Sequence, residues 1–529
     1  MSRSYFWWMF VRRKANKTGT ISIQVIDKSK GYYRVIKSFG AGSTEAEVVR
    51  LEEKARQYIR ELTGTNRSLF EDEDEVKLEN FLSTISNAQI QVIGPELIFG
   101  TLYDRVGYGR IDNELFRHLV ITRLFNPGSK LKTIDYLLRY QGVAHDISKI
   151  YRFLDNLCLR KDQKKGENTG EEKNGIKKQV EEISYSHTLR VLGGRIDVVF
   201  YDMTTLYFES SDEDDLRKTG FSKDGKHQCP QIFLGLLVGH GGNPIGYELF
   251  EGNIFEGDTF IPVLQHMEQR FNLGKPVVIA DAGLLSKKNT LSLEANGYQY
   301  ILGARPKNES GTIKQKILAF NLKNGDVLVI KKTGKTRLVL SRTDKRAAKD
   351  AHNRKRGLDR LTKRLNSGKL TKSNINNKGY NKYLKMEGKV TISIDLEKFH
   401  ADAAWDGIKA YLTNTGLPAK KVIANYRNLW FIERAFRMNK TDLRIRPIFH
   451  RLYNRIEAHI CICFTAYSIM LELERLLKAK KSGISLKRAQ EITHNMYQVI
   501  YQLPKSKDTK TQILKMDREQ QELYDIIFT

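Results

Sequence analysis

Cysteine is scarce in this sequence, with 4 residues among 529. The four are Cys158, Cys229, Cys461 and Cys463. Cys461 and Cys463 have no second pair that would complete a tetrahedral set of ligands, so the spacing excludes a zinc site built on cysteines. We therefore expect buried free thiols in a reducing cytoplasm.

Long hydrophobic runs are also missing. No segment reaches the run of about 18 apolar residues that indicates a membrane-spanning helix. The apolar run at 6–11 is too short for a signal-peptide core, and the basic residues Arg12, Arg13 and Lys14 follow it in place of a small-residue cleavage site. We expect no membrane partner and a cytoplasmic location.

Positive charge, in contrast, is abundant. The chain has 89 Lys and Arg against 61 Asp and Glu, a formal net charge of +28. A charge of this size indicates a large anionic partner such as nucleic acid, and the alternative is a basic protein without one. Single hydrophobic cores stop growing at about 250–300 residues, so a chain of 529 residues with 40% hydrophobic content predicts several domains.

Composition and periodicity divide the chain into segments. They are an N-terminal β/α module at 1–70, an acidic linker at 71–94, a helical domain at 95–193, the first part of an α/β core at 194–305, a basic insertion at 306–404, the second part of the core at 405–475 and a basic helical tail at 476–529. In the first module, Thr44 followed by Glu47 predicts a capping box at the start of a helix. This module and the helical domain are both candidates for recognising DNA.

Two predicted strands in the core segment each end in an aspartate, Asp202 and Asp281. The order of predicted elements is β-β-β-α-β-α-β, which is the ribonuclease H-like topology. We therefore predict an α/β fold with an RNase H-like catalytic core, a mixed five-stranded sheet with helices. In that topology the first and fourth strands are adjacent, so Asp202 and Asp281 should be neighbours although they lie 79 positions apart (281 − 202). The alternative is that each aspartate only forms a turn.

A third acid, Glu433, follows 152 positions after Asp281 (433 − 281), too many for a simple connection. We infer a basic β-rich insertion between them. Residues 306–389 contain 24 Lys or Arg and 6 Asp or Glu, a net charge of +18 (24 − 6). Such a segment suits binding to a phosphate backbone without strong sequence preference.

Glu433 lies on a predicted continuous helix from Tyr426 to Lys440. At about 100° per residue, offsets of 7 and 14 positions return to nearly the same face, so Tyr426, Glu433 and Lys440 should form one stripe together with Arg437. In the functional interpretation, Tyr426 and Trp430 lie near DNA bases or sugars, and Arg437 and Lys440 contact phosphates. The alternatives are that Tyr426 and Trp430 are core aromatic residues, and that Arg437 and Lys440 are solvated cations that pair with Glu433.

Three carboxylates on separate elements can hold divalent metal. Mg²⁺ prefers oxygen ligands, and two such ions about 3.5–4 Å apart activate a nucleophile and stabilise a leaving oxygen at phosphorus. Asp202, Asp281 and Glu433 are therefore the predicted catalytic and metal-binding residues, with Mg²⁺ or Mn²⁺ as the cofactor and two ions expected.

Four motifs resemble those of a known family. They are Tyr201-Asp202-Met203-Thr204-Thr205, Ala280-Asp281-Ala282-Gly283, Tyr426-x2-Leu429-x3-Glu433-x6-Lys440 and Arg446-Pro447-Ile448-Phe449-His450. Together they resemble the DDE transposases of bacterial insertion sequences, and most of all the group with the Y-x2-R-x3-E-x6-K signature, the type of insertion sequence four or a close relative. Leu429 departs from the signature, because an arginine stands there in the group.

The resemblance implies a transposase that cleaves DNA at element ends and joins the 3′ hydroxyl to target DNA, with magnesium. Its implied partners are double-stranded DNA with terminal inverted repeats, target DNA and a second copy of the chain in the DNA complex, in a bacterial, nucleoid-associated setting. Two alternatives stay open: an RNase H-like structure-specific nuclease without strand transfer, and a catalytically inert DNA-binding protein.

Overall fold

The computed structural model describes residues 9–62, 73–158, 175–223, 225–376, 379–387, 391–503 and 506–529. The chain forms two compact units. The first comprises residues 1–89 and 501–510, and the second comprises residues 90–500 and 511–529.

The first unit contains a three-stranded antiparallel sheet and helices. Its elements are β1 (Met9–Ala15), β2 (Ile21–Asp27), β3 (Arg34–Gly42), α1 (Glu45–Leu62) and α2 (Glu73–Ser83). Strand β2 is central, and its Ile23 and Val25 pack against Val48 of α1. The predicted capping box is confirmed: Thr44 Oγ1 accepts the Glu47 N–H at 3.3 Å, and the Glu47 carboxylate accepts the Thr44 N–H at 3.3 Å.

The segment 71–94 was predicted as an acidic linker, and part of it is helical. Residues 71–72 lie outside the described residues, and α2 occupies Glu73–Ser83. An acidic run is therefore compatible with a helix as well as with a solvated linker.

The second unit begins with a short strand and five helices. These are β4 (Ile90–Val92), α3 (Thr101–Val106), α4 (Glu114–Phe125), α5 (Lys130–Gln141), α6 (Ile147–Leu157) and α7 (Ile176–Val191). Side chains cap three of the helix N-termini: Asn113 caps α4, Ser129 caps α5 and Asp146 caps α6. Each cap accepts a backbone N–H that the helix itself leaves unpaired.

A large mixed sheet follows. Its first elements are β5 (Val198–Tyr207), β6 (Gln231–Val238), β7 (Pro244–Glu251), α8 (Glu256–Phe271), β8 (Val277–Ala280), α9 (Lys287–Ala295) and β9 (Tyr300–Ala304). Strands β5 and β8 pair in parallel, and β5, β6 and β7 form an antiparallel meander. These strands are almost entirely buried, as expected of a sheet covered on both faces.

The sheet continues into the predicted insertion. The next elements are α10 (Gly311–Ala319), β10 (Val327–Lys331), β11 (Arg337–Arg342), α11 (Asp344–Asn366), β12 (Leu384–Glu387), β13 (Thr391–Ile394), α12 (Leu396–Ala401) and β14 (Ile408–Thr413). The strand order is β10-β11-β14-β9-β8-β5-β6-β7. The predicted number of five strands is therefore too small, because β14 pairs with β9 and connects β11 and β10 to the same sheet. The mixed α/β architecture is consistent with the prediction.

Helices α13 (Ala419–Arg427), α14 (Trp430–Arg437) and α15 (Tyr453–Ala479) complete the core. Helix α15 is long and apolar enough to cross a membrane by composition alone, but its apolar segment is buried within the protein against α3, α4, α6 and α7. Such burial is typical of the central helix of a folded domain.

The tail contains α16 (Leu486–Thr493), β15 (Tyr497–Gln502), β16 (Thr509–Ile513) and α17 (Arg518–Phe528). The tail was predicted as helical, and it contains the strands β15 and β16 besides its helices. Strand β15 pairs antiparallel with β4, with Tyr497 opposite Val92. A distant partner strand thus sets the local structure, which a helical pattern in the tail does not reveal.

Candidate active site

The two strand aspartates are brought together as predicted. Strands β5 and β8 are parallel neighbours with Tyr201 opposite Ala280, so Asp202 and Asp281 follow in matching positions. Asp202 does not end its strand, however. Pairing with β6 extends β5 to Tyr207, five positions beyond Asp202 (207 − 202), while parallel pairing with β8 stops at Tyr201.

A lysine from the loop after β5 reaches Asp202. The ammonium of Lys223 lies 3.5 Å from Asp202 Oδ1 and 2.8 Å from Glu256 Oε1, and it donates to the carbonyl of Met203 at 2.6 Å. The backbone N–H of Lys223 donates to Thr205 Oγ1 at 3.2 Å, which anchors the loop on β5. Asp202 and Lys223 form a charge pair at the edge of the sheet.

The electrostatic environment favours a cation here. Burial raises the pKa of Asp202 to about 6, although Lys223 acts in the opposite direction, and the negative charge of Asp281 raises it further. Burial alone would lower the pKa of Lys223, but Asp202 and Glu256 outweigh burial and leave that pKa raised. The ammonium is therefore held in its charged form by the carboxylates around it.

Glu256 is a fourth acid at this site that sequence reasoning missed. It is the first residue of α8. A Cβ atom built on Gly283 would lie 3.0 Å from Asp281 Oδ1 and 3.6 Å from Glu256 Oε2, so both carboxylates flank this glycine. The sequence signal that could have identified Glu256 is an acidic residue in the first turn of the helix that follows the third strand of the core.

Tyr426 lies beside the acids. Its hydroxyl occupies the space over Gly303, where a Cβ atom would collide with it and would stand 2.9 Å from the Ala282 nitrogen. Burial raises the pKa of Tyr426, and the charges of Asp281, Glu433 and Asp202 add to this effect. The phenol therefore stays protonated, and it lies within electrostatic range of all three predicted acids.

The helix of Glu433 packs on the strand of Asp202, with Phe431 and Phe200 in edge contact at 6.1 Å. The predicted continuous helix is interrupted, however. Helix α13 ends at Arg427 and α14 begins at Trp430, with i→i−3 hydrogen bonds between them, and a π-helical turn occupies Met438–Asp442. Because these turns do not have 3.6 residues, the single stripe that α-helical spacing predicts from Tyr426 to Lys440 does not apply.

The predicted DNA contacts occupy different environments. Trp430 is 47% exposed, so it is not a core residue, and its ring packs on Phe431 at 4.5 Å. Glu433 and Arg437 are exposed, and in the described part of the chain no ion pair joins them. Lys440 is partly buried in the π-helical turn.

The surroundings of the Lys223 ammonium indicate whether this site can bind a metal ion. Within the described residues, no three His, Cys, Asp or Glu side chains form a ready cluster of metal ligands. The Lys223 ammonium, however, is surrounded by oxygens of Asp202, Glu256 and Met203. Oxygens that hold this cation also fit Mg²⁺ or Mn²⁺, which prefer such ligands.

A basic groove of about 660 Å³ begins next to the acids. Its lining runs from Ala282 and Tyr426 to Arg346 of α11 and Lys409 of β14. Burial lowers the pKa of Lys409, and the positive charges of Arg346 and Arg427 lower it further. Six basic side chains line the groove against three aspartates, so the lining has a net positive charge although the aspartates pair with four of the cations.

These features define an α/β protein with paired strand carboxylates, a glutamate helix packed on the same strand, and a neighbouring basic groove. The architecture is consistent with an RNase H-like catalytic core. Residues 193–469 match the family model described as "Transposase DDE domain". The match covers 277 of 529 residues (469 − 193 + 1), so the chain belongs to this family and is a DDE-type DNA transposase of a mobile element.

Several solved structures are similar to this chain. The piggyBac transposase synaptic complex with hairpin DNA has 10% identity and a TM-score of 0.37, with 76% of each chain covered. The Drosophila P element transposase strand transfer complex has 10% identity and a TM-score of 0.20, with 79% of this chain and 90% of that chain covered. The Mos1 transposase paired-end complex has 14% identity and a TM-score of 0.15, with 36% of this chain and 58% of that chain covered. No curated protein matches the sequence.

Proposed function

We propose that this transposase binds the ends of its element, cleaves them by metal-assisted phosphoryl transfer and joins the 3′ hydroxyl ends to target DNA. The observation that supports this most is the parallel register of β5 and β8, which aligns Asp202 with Asp281 in a chain of the DDE family. The bacterial type of insertion sequence four remains part of the proposal, on the strength of the motif around Glu433.

Asp202, Asp281 and Glu433 would hold Mg²⁺ or Mn²⁺ ions. When bound, two such ions activate the attacking oxygen and stabilise the leaving oxygen at phosphorus. Asp202 and Asp281 supply oxygens from the rigid sheet edge, and Glu433 comes from the helix packed on β5. Glu433 is exposed, and its charge acts on Tyr426 together with the charges of Asp281 and Asp202.

DNA lies along the basic groove in this proposal. Arg346 and Lys409 contact phosphates there, and Tyr426, held over Gly303, keeps its hydroxyl as a hydrogen-bond donor towards the reacting strand. Trp430 and Arg437 are exposed on the glutamate helix and extend the contact to bases and phosphates. Lys440 stays a proposed phosphate contact from the π-helical turn.

The remaining assignments are also proposals. The module at 1–70 or the helical domain at 95–193 selects the element ends, and the basic insertion at 306–404 binds DNA through its net charge. Two copies of the chain hold two terminal inverted repeats together in the bacterial cytoplasm. These assignments follow from charge, composition and the family resemblance.

The decisive experiment combines a labelled element end, a supercoiled plasmid target and Mg²⁺. Joined products support the transposase; cleavage without joining supports a structure-specific nuclease, and binding alone supports an inert DNA-binding protein. The Asp281→Asn variant is the matched control, because it should bind the same DNA and give neither product. Inverted repeats in the DNA that flanks the gene would supply the substrate.

A further inference from the structure

Lys223 occupies the position of a bound cation among the acids. An ammonium has three N–H donors, and three oxygens surround this one: Met203 O at 2.6 Å, Glu256 Oε1 at 2.8 Å and Asp202 Oδ1 at 3.5 Å. Asp281 adds its negative charge to the environment of the same lysine. The ammonium thus places a positive charge among carboxylates that would otherwise repel one another.

Hydrogen bonds of its loop fix the position of Lys223. Beyond the Lys223 bond to Thr205, the preceding N–H of Ser222 donates to His227 Nδ1 at 3.2 Å, and Gln231 donates to the Phe221 carbonyl at 2.8 Å. These bonds tie the residues that lead up to the lysine to β5 at Thr205, to β6 at Gln231 and to His227 within the same loop. The contact with the acids is therefore a defined state of the fold.

Lys223 and Glu256 lie outside the four motifs of the sequence analysis, although Lys223 also contacts Asp202. Glu256 comes from α8 and Lys223 from the β5–β6 loop. Glu256 is 22% exposed and Lys223 is 32% exposed, so the pair is shielded but reachable from solvent. A small hydrated ion can reach these oxygens and exchange with the ammonium.

We propose that Lys223 is a placeholder for the divalent metal ion, and that Glu256 is a fourth carboxylate which the ion engages once it displaces the ammonium. This inference rests on the proposed function, because it deepens the account of the same site. Without metal, Lys223 balances Asp202 and Glu256. With metal, the exchange releases the ammonium, which then becomes available to a phosphate of the bound DNA.

The exchange has a definite consequence for metal affinity. Because the ammonium competes with the ion, its removal should tighten metal binding in the absence of DNA. Charges a few ångströms apart near a protein surface interact by several kcal/mol before screening, so Lys223→Met should bind Mn²⁺ about tenfold more tightly. Glu256→Gln should weaken Mn²⁺ binding, because it removes one ligand.

The test titrates the full chain with Mn²⁺ without DNA and follows free Mn²⁺ by electron paramagnetic resonance. Lys226→Met is the matched control: Lys226 is an exposed lysine of the same loop that lies over the Tyr207 ring, and its removal should leave the affinity unchanged. Unchanged or weaker binding in Lys223→Met would overturn the placeholder. Unchanged binding in Glu256→Gln would overturn the fourth carboxylate.

Asp281→Asn separates this inference from the proposed function. If Asp281→Asn leaves Mn²⁺ binding unchanged, the proposed metal site itself is wrong. If Asp281→Asn weakens binding while Lys223→Met has no effect, only the placeholder is wrong.

Thermal unfolding gives a second readout. In EDTA, Lys223→Met should melt below the wild-type protein, because Asp202 and Glu256 lose their counter-charge. Mn²⁺ should then raise its Tm by more than that of the wild type, since ligands that bind only the folded state stabilise it. If Lys223→Met has a low Tm that Mn²⁺ does not raise, Lys223 only forms a structural ion pair with the acids.

Discussion

Two lysines of this protein have opposite surroundings. Lys223 lies among carboxylates, with Asp202 and Glu256 at 3.5 and 2.8 Å. Lys130, the first residue of α5, is only 6% exposed, and the positive charge of Arg123 acts on it. In the described residues no carboxylate forms an ion pair with Lys130.

The two surroundings shift the pKa values of Lys223 and Lys130 in opposite directions. The carboxylates leave the pKa of Lys223 raised, whereas burial, reinforced by Arg123, lowers the pKa of Lys130 to about 7. A cation balanced by acids is stable and can be exchanged for another cation. A buried cation without acids costs stability whenever it is charged. The surroundings of Lys223 therefore suit a metal site. The surroundings of Lys130 lower the free energy of unfolding.

The largest effect should come from the acids themselves. Asp202→Asn or Asp281→Asn removes a negative metal ligand while nearly preserving shape, so end cleavage and joining should fall by several orders of magnitude with DNA binding retained. Glu433→Gln should do the same. Asp258→Asn is the control, because Asp258 pairs with exposed Lys288 at the surface. Near-normal cleavage by any one of the three variants would show that the substituted residue is not a metal ligand.

The basic helix α11 also carries exposed cations for which the described residues show no ion pair. Lys355, Arg356 and Arg360 are exposed on this helix, so they are free to meet phosphates. Changing all three to alanine should weaken DNA binding about 10- to 100-fold and reduce the slope of log K against log salt by up to about 3. The measurement is a salt series of binding isotherms. An unchanged slope would place the DNA path elsewhere.

Lys130 tests how much a buried ammonium without a carboxylate partner destabilises the fold. Its pKa is about 7 in the folded protein against an ordinary value of 10.5. Below about pH 7 both states bind the proton and the folded state bears the cost of the buried charge. Between about pH 7 and 10.5 the unfolded state binds more protons, so the free energy of unfolding rises with pH.

Lys130→Met should therefore stabilise the protein at pH 6–7, by on the order of 2 kcal/mol, and this gain should vanish near pH 10. Denaturant unfolding at several pH values measures it, with exposed Lys132→Met as the control. A loss of stability at every pH would mean that the ammonium has a favourable partner, and the contrast with Lys223 would fail.

The smallest expected effect concerns the exposed face of α14. Trp430→Ala and Arg437→Ala remove exposed side chains, so neither should change Tm appreciably. Each should weaken the complex with element ends several-fold, because stacking on one base contributes about 1–3 kcal/mol and one phosphate contact less. Normal complexes in the double variant would contradict a DNA contact through this helix.

The order of elements around Asp202 could be predicted from the sequence because it rests on local signals. Continuous apolar strands, turns and a helix cap at Ser286 mark β5 to β9, and the topology then implies that Asp202 and Asp281 are neighbours. The capping box at Thr44 is equally local. Such features depend on residues a few positions apart.

Other parts of the site depend on distant contacts. Lys223 lies 21 positions from Asp202 in a loop without periodicity, so no pattern connects the two. Strands β10 and β11 were recognisable as strands, but their place in the main sheet depends on β14, about 70 positions later (408 − 337 = 71). The break between α13 and α14 contains neither proline nor glycine, so helical periodicity passes over it.

The pairing of β4 with β15 has a consequence for synthesis of the chain. Val92 and its partner Tyr497 are separated by 405 residues (497 − 92). At about 5–20 residues per second, a ribosome needs roughly 20–80 s to produce the second strand after the first. Until then the edge of β4 has no partner, and products of translation that stop before Tyr497 keep that edge open to pairing with other chains.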